Sequence, residues 1–439
     1  MIREYCSLRN RIAFAAVALL TLAATAFPQA SSIDRDMAMG MLNSTKDAIK
    51  KNYYDPSFHG VDLDFVFDQA KERMKAAPTR DALMMVIAST VLALDDSHTN
   101  FYPPPRAAEI EYGWQVDMVG DECFVTRIKP GSDAEAKGLK VDDKLLAIDG
   151  LKPIRKNMWQ MYYRYLTVAP TARVTMTLLS LGEEKPHNLD IQTKISKTGS
   201  VITLSKFYER GVIKKGWFDS GKPDEFQDFG KDLLIWKMHT FADSEINIDQ
   251  AVAKARGHKN LILDLRDNGG GYIDILKRLT GSFFDKDLKI ADEKARRETK
   301  PMTAKTRGSD VFTGNLIVLI NHNSASCSEV FARTIQLQKR GKVIGDKSAG
   351  AVMESKIYEM DSGIGNTLYF GASITVADII MPDGASLEKT GVTPDEISLP
   401  TGRDLSEKKD PVLSYAAKLC GVDLAAEKAG TFFPFEWPK

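Results

Sequence analysis

Cysteine is scarce in this chain: four residues in 439, at Cys6, Cys123, Cys327 and Cys420. No two of them form a C-x-x-C pair, so a structural zinc site is not indicated, and their wide spacing excludes a disulfide-framed fold. Net charge is also missing, with 59 Lys and Arg against 59 Asp and Glu. No basic block breaks that balance, so nothing points to nucleic acid or to an anionic membrane surface. Histidine is limited to six positions. Beyond the N-terminal segment there is no long apolar run, which predicts a soluble mature protein.

The N-terminal segment has the order of a secretory leader. Arg3, Arg9 and Arg11 precede an apolar stretch from Ile12 to Leu22. Ala24-Thr25-Ala26 then supplies small residues at cleavage spacing, with Gln29-Ala30 as a later alternative. The stretch is short for a membrane span, so cleavage is favoured over an uncleaved anchor. Residues 1–26 are therefore expected to be a signal peptide, and the protein to be exported, periplasmic or secreted. Their removal takes away three Arg and one Glu and leaves a net charge of −2. Export permits one disulfide among the remaining cysteines without specifying it.

The mature chain changes texture several times. Residues 33–102 read as a helical module: Met41 to Lys51 is rich in helix formers, and Phe65, Phe67, Ala70 and Met74 lie near helical spacing. Thr79 is placed to cap a helix whose apolar face is Leu83, Val86, Ile87, Val91 and Leu94. Pro103-Pro104-Pro105 breaks this pattern. Short strands then alternate with Gly turns over 106–195, including Trp114–Val116, Cys123–Val125, Lys144–Ile148 and Arg173–Leu179. Residues 196–230 read as a polar connector with a strand or hairpin. From 231 to 402, strand–turn–helix units recur, which predicts a layered α/β domain. Residues 403–439 are expected to be a helical tail.

Three stretches carry candidate chemistry. Asn323-Ser324-Ala325-Ser326-Cys327-Ser328-Glu329 links the apolar run Leu316–Ile320 to a helix-like run, Val330–Ile335. A small-residue turn there exposes a serine hydroxyl, and the helix start offers free N–H groups to an oxyanion. Arg266-Asp267-Asn268-Gly269-Gly270-Gly271 follows a strand and precedes a helix; its glycines could approach a phosphate or donate to an oxyanion, but no phosphate-loop pattern is complete. His98 follows Asp95-Asp96-Ser97 at the end of the helical module. The other five histidines, His59, His187, His239, His258 and His322, have no informative setting.

The segment Lys129 to Gly150 resembles the PDZ signature, in which a PGS-type short helix is followed by Gly-Leu, a charged turn and a strand ending in Asp-Gly. The resemblance implies a small β module whose groove takes an extended peptide by strand addition and captures a carboxylate. Tyr112, Gly113, Trp114, Gln115 and Val116 are then the expected carboxylate loop and groove strand.

Taken together and in order, Leu94–Thr99, Leu261–Gly271, Val318–Asn321 with Ser324–Glu329, and Gly391-Val392-Thr393-Pro394-Asp395 resemble the tail-specific, or C-terminal-processing, serine peptidases and the related tricorn core. The resemblance implies an α/β multidomain protein with a catalytic domain of the ClpP/crotonase-like type. It implies Ser326 as nucleophile, with the N–H of Cys327 and of Gly270 or Gly271 as oxyanion donors. The lysine base of one branch is absent, because Ala351 stands at its position; Lys347 lies four residues early. The tricorn-like branch implies instead His98 as base, Ser97 beside it and Glu388 as acidic member. No metal or organic cofactor is implied, and the expected partners are protein or peptide substrates, through free C-termini among others; assembly as a homo-oligomer is left open. The rival expectation is an inactive binding protein on the same fold, as retinoid-binding modules of this kind are.

Overall fold

A computed structural model of the chain describes residues 29–106, 108–197, 222–362 and 368–437. The expected signal peptide and most of the connector lie outside the described residues.

Three helices open the structure: α1 (Ser32–Asn52), α2 (Leu63–Ala76) and α3 (Arg80–Val91). Side chains cap each start. Ser31, Asp62 and Thr79 accept the N–H groups of Asp34, Phe65 and Ala82, which would otherwise lack partners. Phe67, Ala70 and Met74 bury one face of α2, and Leu83, Ile87 and Val91 one face of α3. Phe65, expected on that face, is 60% exposed, because it stands on the opposite side of α2. A left-handed residue, Asp95 (φ 52°), ends the last turn and throws the chain across to β1 (Asn100–Tyr102).

Residues after the proline break form β2 (Ala108–Glu111), then β3 (Trp114–Val119), β4 (Glu122–Ile128), α4 (Asp133–Ala136), β5 (Lys144–Ile148), α5 (Met158–Tyr162), β6 (Arg173–Leu179) and β7 (His187–Gln192). The antiparallel sheet runs β3-β4-β5-β6-β7, so β3 is an edge strand. Its residues alternate: Trp114, Val116 and Met118 are buried against Met158, Met161 and Tyr165, while Gln115 and Asp117 face the other way. β8 (Lys194–Lys197) pairs with β2.

The catalytic-type region begins with β9 (Glu225–Phe229), β10 (Leu233–Lys237), α6 (Glu245–Ala255), β11 (Asn260–Asp264) and α7 (Ile273–Gly281). β12 (Leu288–Ala295), β13 (Thr299–Ala304), β14 (Asn315–Ile320), α8 (Cys327–Leu337) and β15 (Lys342–Gly345) follow. The chain continues through β16 (Met353–Ser362), β17 (Leu368–Ile380), β18 (Glu396–Ile397), α9 (Gly402–Ser406), α10 (Pro411–Leu419) and α11 (Ala426–Ala429). One sheet has the order β18-β15-β14-β11-β10-β9, parallel except for β9. Strands β10, β11 and β14 are buried on both faces. Leu234, Trp236, Leu261, Leu263 and Val318 pack with α6, α7 and α8, whereas Leu233, Ile235, Ile262, Ile317 and Leu319 pack with α10 and α11. This is the layered arrangement that continuous apolar strands require.

A second sheet, β1-β17-β12-β13 with β16 added to β17, is not apparent from the sequence pattern. It changes how the helical module is understood. Phe370, Ala372 and Ile374 of β17 share one core with Met41, Phe67 and Leu83, and β1 pairs with β17 through Asn100–Tyr102. The N-terminal helices are therefore packed onto the α/β region, and that packing carries His98 to it.

Candidate active site

The strand β14 delivers the chain to Asn321, and α8 starts six residues later. Asn321 folds back on this turn: its N–H donates to Ser324 Oγ (2.9 Å), and its side-chain oxygen accepts from Asp267 N–H and Asn323 N–H. Three serines follow, and their surroundings differ. Ser324 and Ser328 are fully buried; their hydroxyls donate to the carbonyls of Leu265 and Asn268, both at 2.8 Å. Ser326 alone of the three is half-exposed. It sits at the head of α8 with φ 55° and ψ −117°, a conformation a residue with a Cβ adopts only under constraint. The constraint is visible: its N–H donates to Ala351 C=O (2.9 Å) and to Glu329 Oε2 (3.0 Å). Beside it lies a small apolar pocket that includes Ile273, Val330, Val352 and Ile379.

The glycine run packs directly on this turn. A Cβ on Gly270 would stand 2.7 Å from Ser326 Cβ and 3.0 Å from Cys327 N, so only glycine fits. Asn268 shapes the run. Its amide donates to Met238 C=O and its oxygen accepts from Gly270 N–H, each at 2.9 Å. Of the two expected oxyanion donors, Gly270 has its N–H turned toward Asn268 by this bond. The N–H of Gly271 has no acceptor among the described residues, and that of Cys327, first in α8, lacks an intrahelical one.

His98, Ser97 and Glu388 come together across 291 positions of sequence. Ser97 Oγ lies 2.7 Å from His98 Nδ1 and donates to Glu388 Oε2 at 2.8 Å; Ser97 N–H donates to Oε1 at 2.8 Å. A hydroxyl has one proton. If Ser97 gives it to the carboxylate, it must accept from His98 Nδ1–H, and Nε2 is then the unprotonated, basic nitrogen. Burial pushes the imidazole below its ordinary value, with Asp96 pulling the other way. Burial likewise raises Glu388 above the usual carboxylate range, against donors from Val352 and Ser97.

The loop that carries His98 is held by Asp96, a residue no sequence argument singled out. Its buried carboxylate accepts from the N–H groups of His98 (2.9 Å) and Thr99 (2.7 Å), from Thr375 Oγ1 (2.8 Å) and from Tyr53 OH (2.7 Å). Glu329 is the other omission. Four donors converge on it: Ser348 Oγ and Gly350 N–H on Oε1, Ala351 N–H and Ser326 N–H on Oε2. Burial pushes its carboxyl up to about 7 against those donors. The signal for Glu329 was its place as the last residue of the serine heptad, three after Ser326, which is the spacing of a reciprocal helix cap.

One peptide unit joins the two halves. Ala351 C=O accepts from Ser326 N–H, and the N–H of the next residue, Val352, donates to Glu388 Oε2 at 2.9 Å. Among the described residues no hydrogen bond links His98 directly to Ser326; the connection runs through this peptide. Lys347 is exposed. His322, dismissed on sequence, is buried between the modules, where its Nε2 faces Met118 N–H at 3.3 Å.

In the β module, Tyr112, Gly113, Trp114, Gln115 and Val116 all line one cleft of about 500 Å³, opposite α5. Tyr112 and Trp114 are also core residues: Tyr112 OH donates to Tyr165 C=O (3.0 Å), and the two rings pack at 5.4 Å. Val116 C=O, on the open edge of β3, accepts from Tyr162 OH.

With this geometry in hand, likeness to known proteins is informative. Residues 232–398 match the family model for peptidase family S41, and residues 105–164 match that for the PDZ domain. A carboxyl-terminal-processing protease of Picosynechococcus sp. is 24% identical over 330 residues, 73% of each chain. A chloroplastic carboxyl-terminal-processing peptidase 1 of Arabidopsis thaliana is 21% identical over 359 residues, 78% of this chain and 68% of that one. Among solved structures, mature CPAF superposes with a TM-score of 0.66 at 14% identity, over 89% of this chain and 97% of the other. The photosystem II D1 C-terminal processing protease does so at 0.52 and 20%, over 89% and 99%. Residues 232–398 therefore match peptidase family S41 beside a PDZ match, and the chain is a serine-type peptidase similar to the carboxyl-terminal-processing proteases.

Proposed function

We propose that this peptidase cleaves internal peptide bonds with Ser326 as nucleophile and His98 as its base. The observation that carries the reading is the hydrogen-bonded series Glu388–Ser97–His98, which leaves Nε2 as the basic nitrogen, together with a single half-exposed, strained serine among three. Ser326 Oγ adds to the peptide carbonyl while His98 Nε2 takes its proton. The C–N bond breaks as the imidazolium returns that proton to the leaving amine. Water, deprotonated by the same nitrogen, then releases the acyl group. The N–H groups of Cys327 and Gly271 receive the oxyanion, a task that suits groups with no competing acceptor. Ser97 and Glu388 position the imidazole and offset its transient charge.

The PDZ domain is assigned the capture of an extended peptide at the open edge of β3, whose cleft reaches Asp267 and Asn323 beside the two catalytic loops. Arginines followed by an apolar stretch and small residues support export to the periplasm or beyond; among the described residues no helix is long and apolar enough to cross a membrane.

A fluorophosphonate probe tests the catalytic reading. Wild type should label at one site, and both Ser326→Ala and His98→Ala should lose the label while keeping their melting temperatures. Full labelling of His98→Ala would overturn the base assignment, and an unlabelled wild type that cleaves no unfolded protein would overturn the whole mechanism.

A further inference from the structure

The cleft beside β3 is not bounded by the PDZ domain alone. Its far wall is the segment after α11, through Phe433, Phe435 and Trp437. That segment is anchored on the α/β region. Phe432 packs on Phe229 at 6.2 Å, Phe433 packs on the core beneath α10, and Lys222 Nζ donates to Pro434 C=O at 3.3 Å. From there Phe435 reaches across to the PDZ sheet and lies on the Arg127 guanidinium of β4, 4.4 Å from ring centre to carbon. Trp437 meets Phe435 edge-on at 5.2 Å.

Arg127 has little charge to offer a ligand. It lies 3.7 Å from Asp117 and 3.9 Å from Asp267, and it donates to Gln115 Oε1. The surface made by Phe435, Trp437 and the flat guanidinium is therefore an apolar, aromatic one rather than an anion site. It lies on the face of the sheet to which Gln115 and Asp117 point, opposite the α5 face. The cleft keeps a volume of about 500 Å³ with the segment in place, within the range of ordinary ligand sites. The segment is thus a wall of the cleft and not a plug.

We propose that Phe435 and Trp437 form a second side-chain subsite of the peptide groove, so that the groove selects extended peptides with large apolar residues at successive positions. This rests on the reading that β3 takes a peptide by strand addition. Side chains of an added strand alternate between the two faces. One set points to Met158 and Met161, as in any groove of this type; the other set meets the ring of Phe435 and the Arg127 plane. A groove without the second wall would ask for apolar residues only at alternate positions.

The test uses the full chain with Ser326→Ala, so that the ligand is not cut. The ligand is a fluorescein-labelled octapeptide ending in four valines, together with four versions in which one of these is replaced by serine. Binding is followed by anisotropy to that protein and to the same protein carrying Phe435→Ala and Trp437→Ala. The parent should lose about tenfold in affinity for a serine at any of the apolar positions, the size of one well-packed side-chain contact. In the double variant two alternate positions should become indifferent, within twofold, while the other two keep their effect. Phe435→Ala alone, at a site 39% exposed, should go the same way and guards against misfolding. Equal sensitivity in both proteins, or tighter binding by the variant, overturns the proposed subsite. Absence of binding in both proteins, or binding unaffected by Leu166→Glu at the cleft's exposed rim, overturns strand addition itself.

Discussion

Changing Glu388 to glutamine removes a charge without removing volume, and the structure sets the size of the effect. Glu388 Oε2 is two hydrogen bonds from His98 Nδ1, through Ser97, so the two charges of the working state stand within about 5.5 Å. At an effective dielectric of about 20 this separation is worth roughly 3 kcal/mol when the imidazole becomes charged. Losing it slows the step that charges His98 by about a hundredfold. The amide adds a second effect. Three donors face Glu388, two from Ser97 and one from Val352, and an amide offers them one oxygen. When its NH₂ faces Ser97 Oγ, the hydroxyl must accept, donate to Nδ1 and leave the imidazole proton on Nε2, which ends its use as a base. The expected result is a fall in kcat of about 10²- to 10³-fold at pH 8 with KM within a few-fold, measured on a quenched peptide alongside thermal melting. A kcat within threefold of wild type, in a preparation where His98→Ala is dead, would refute the assigned role of Glu388.

The pH profile gives a further check. The base needs His98 neutral, and burial holds its pKa below 6.5; it also needs Glu388 ionised, and burial holds that pKa above 4.5. Activity is therefore lost as pH falls, and where His98 sets the acid limb of kcat/KM its midpoint should lie below that of an ordinary imidazole; a midpoint near 7 would hand control to Glu329 instead. Gly270→Ala places a methyl 2.7 Å from Ser326 Cβ at a φ of 94°. It should lower stability by roughly 2–4 kcal/mol and abolish fluorophosphonate labelling, and a labelled variant would mean that the loop moves freely of the nucleophile. Ser328→Ala removes one buried hydrogen bond, and Ser324→Ala removes two, one donated to Leu265 C=O and one accepted from Asn321 N–H. Each lost bond should cost about 1 kcal/mol in chemical denaturation, and both variants should keep their labelling, unlike Ser326→Ala.

Much of the arrangement was legible because it is local. Leu261–Leu265 and Leu316–Ile320 are β-branched and aliphatic runs followed by glycine or small residues, and they became β11 and β14 with their turns. Thr79 caps α3 as its position suggests. The second sheet was not legible. β16 and β17 form a long antiparallel hairpin whose exposed half carries polar residues; the alternation of Phe370, Ala372 and Ile374 gains meaning only with the helices that cover it. Asp96 and Glu329 were missed for a related reason. Each is an acid in a motif already noticed; the cap spacing points to Glu329 only as a partner of Ser326 N–H, and nothing in the sequence says that either carboxylate gathers four donors. Gly270 shows the reverse case: a glycine run suggests free donors, and a side chain two residues away, Asn268, takes one of them.

On the proposed mechanism, the residue that stands in place of the lysine base explains why a histidine can serve here. Ala351 contributes no functional side chain, yet its backbone is central: its carbonyl fixes Ser326 N–H, its own N–H is held by Glu329, and the adjoining N–H of Val352 fixes Glu388. Backbone groups do these tasks whatever side chain is attached, so loss of a lysine at 351 leaves the scaffold of the nucleophile intact. The proposed base is then free to come from another element, and the second sheet positions it. Thr99, just before β1, donates to Thr375 Oγ1 of β17, and Asp96 ties the His98 loop to the same Thr375. The imidazole is thus positioned by packing between the helical module and the hairpin, and the nucleophile by the turn between β14 and α8. The peptide between Ala351 and Val352 is where those two supports meet. Substitutions that loosen the N-terminal helices should therefore reduce activity before they unfold the α/β region, because they move the base relative to a nucleophile that stays in place.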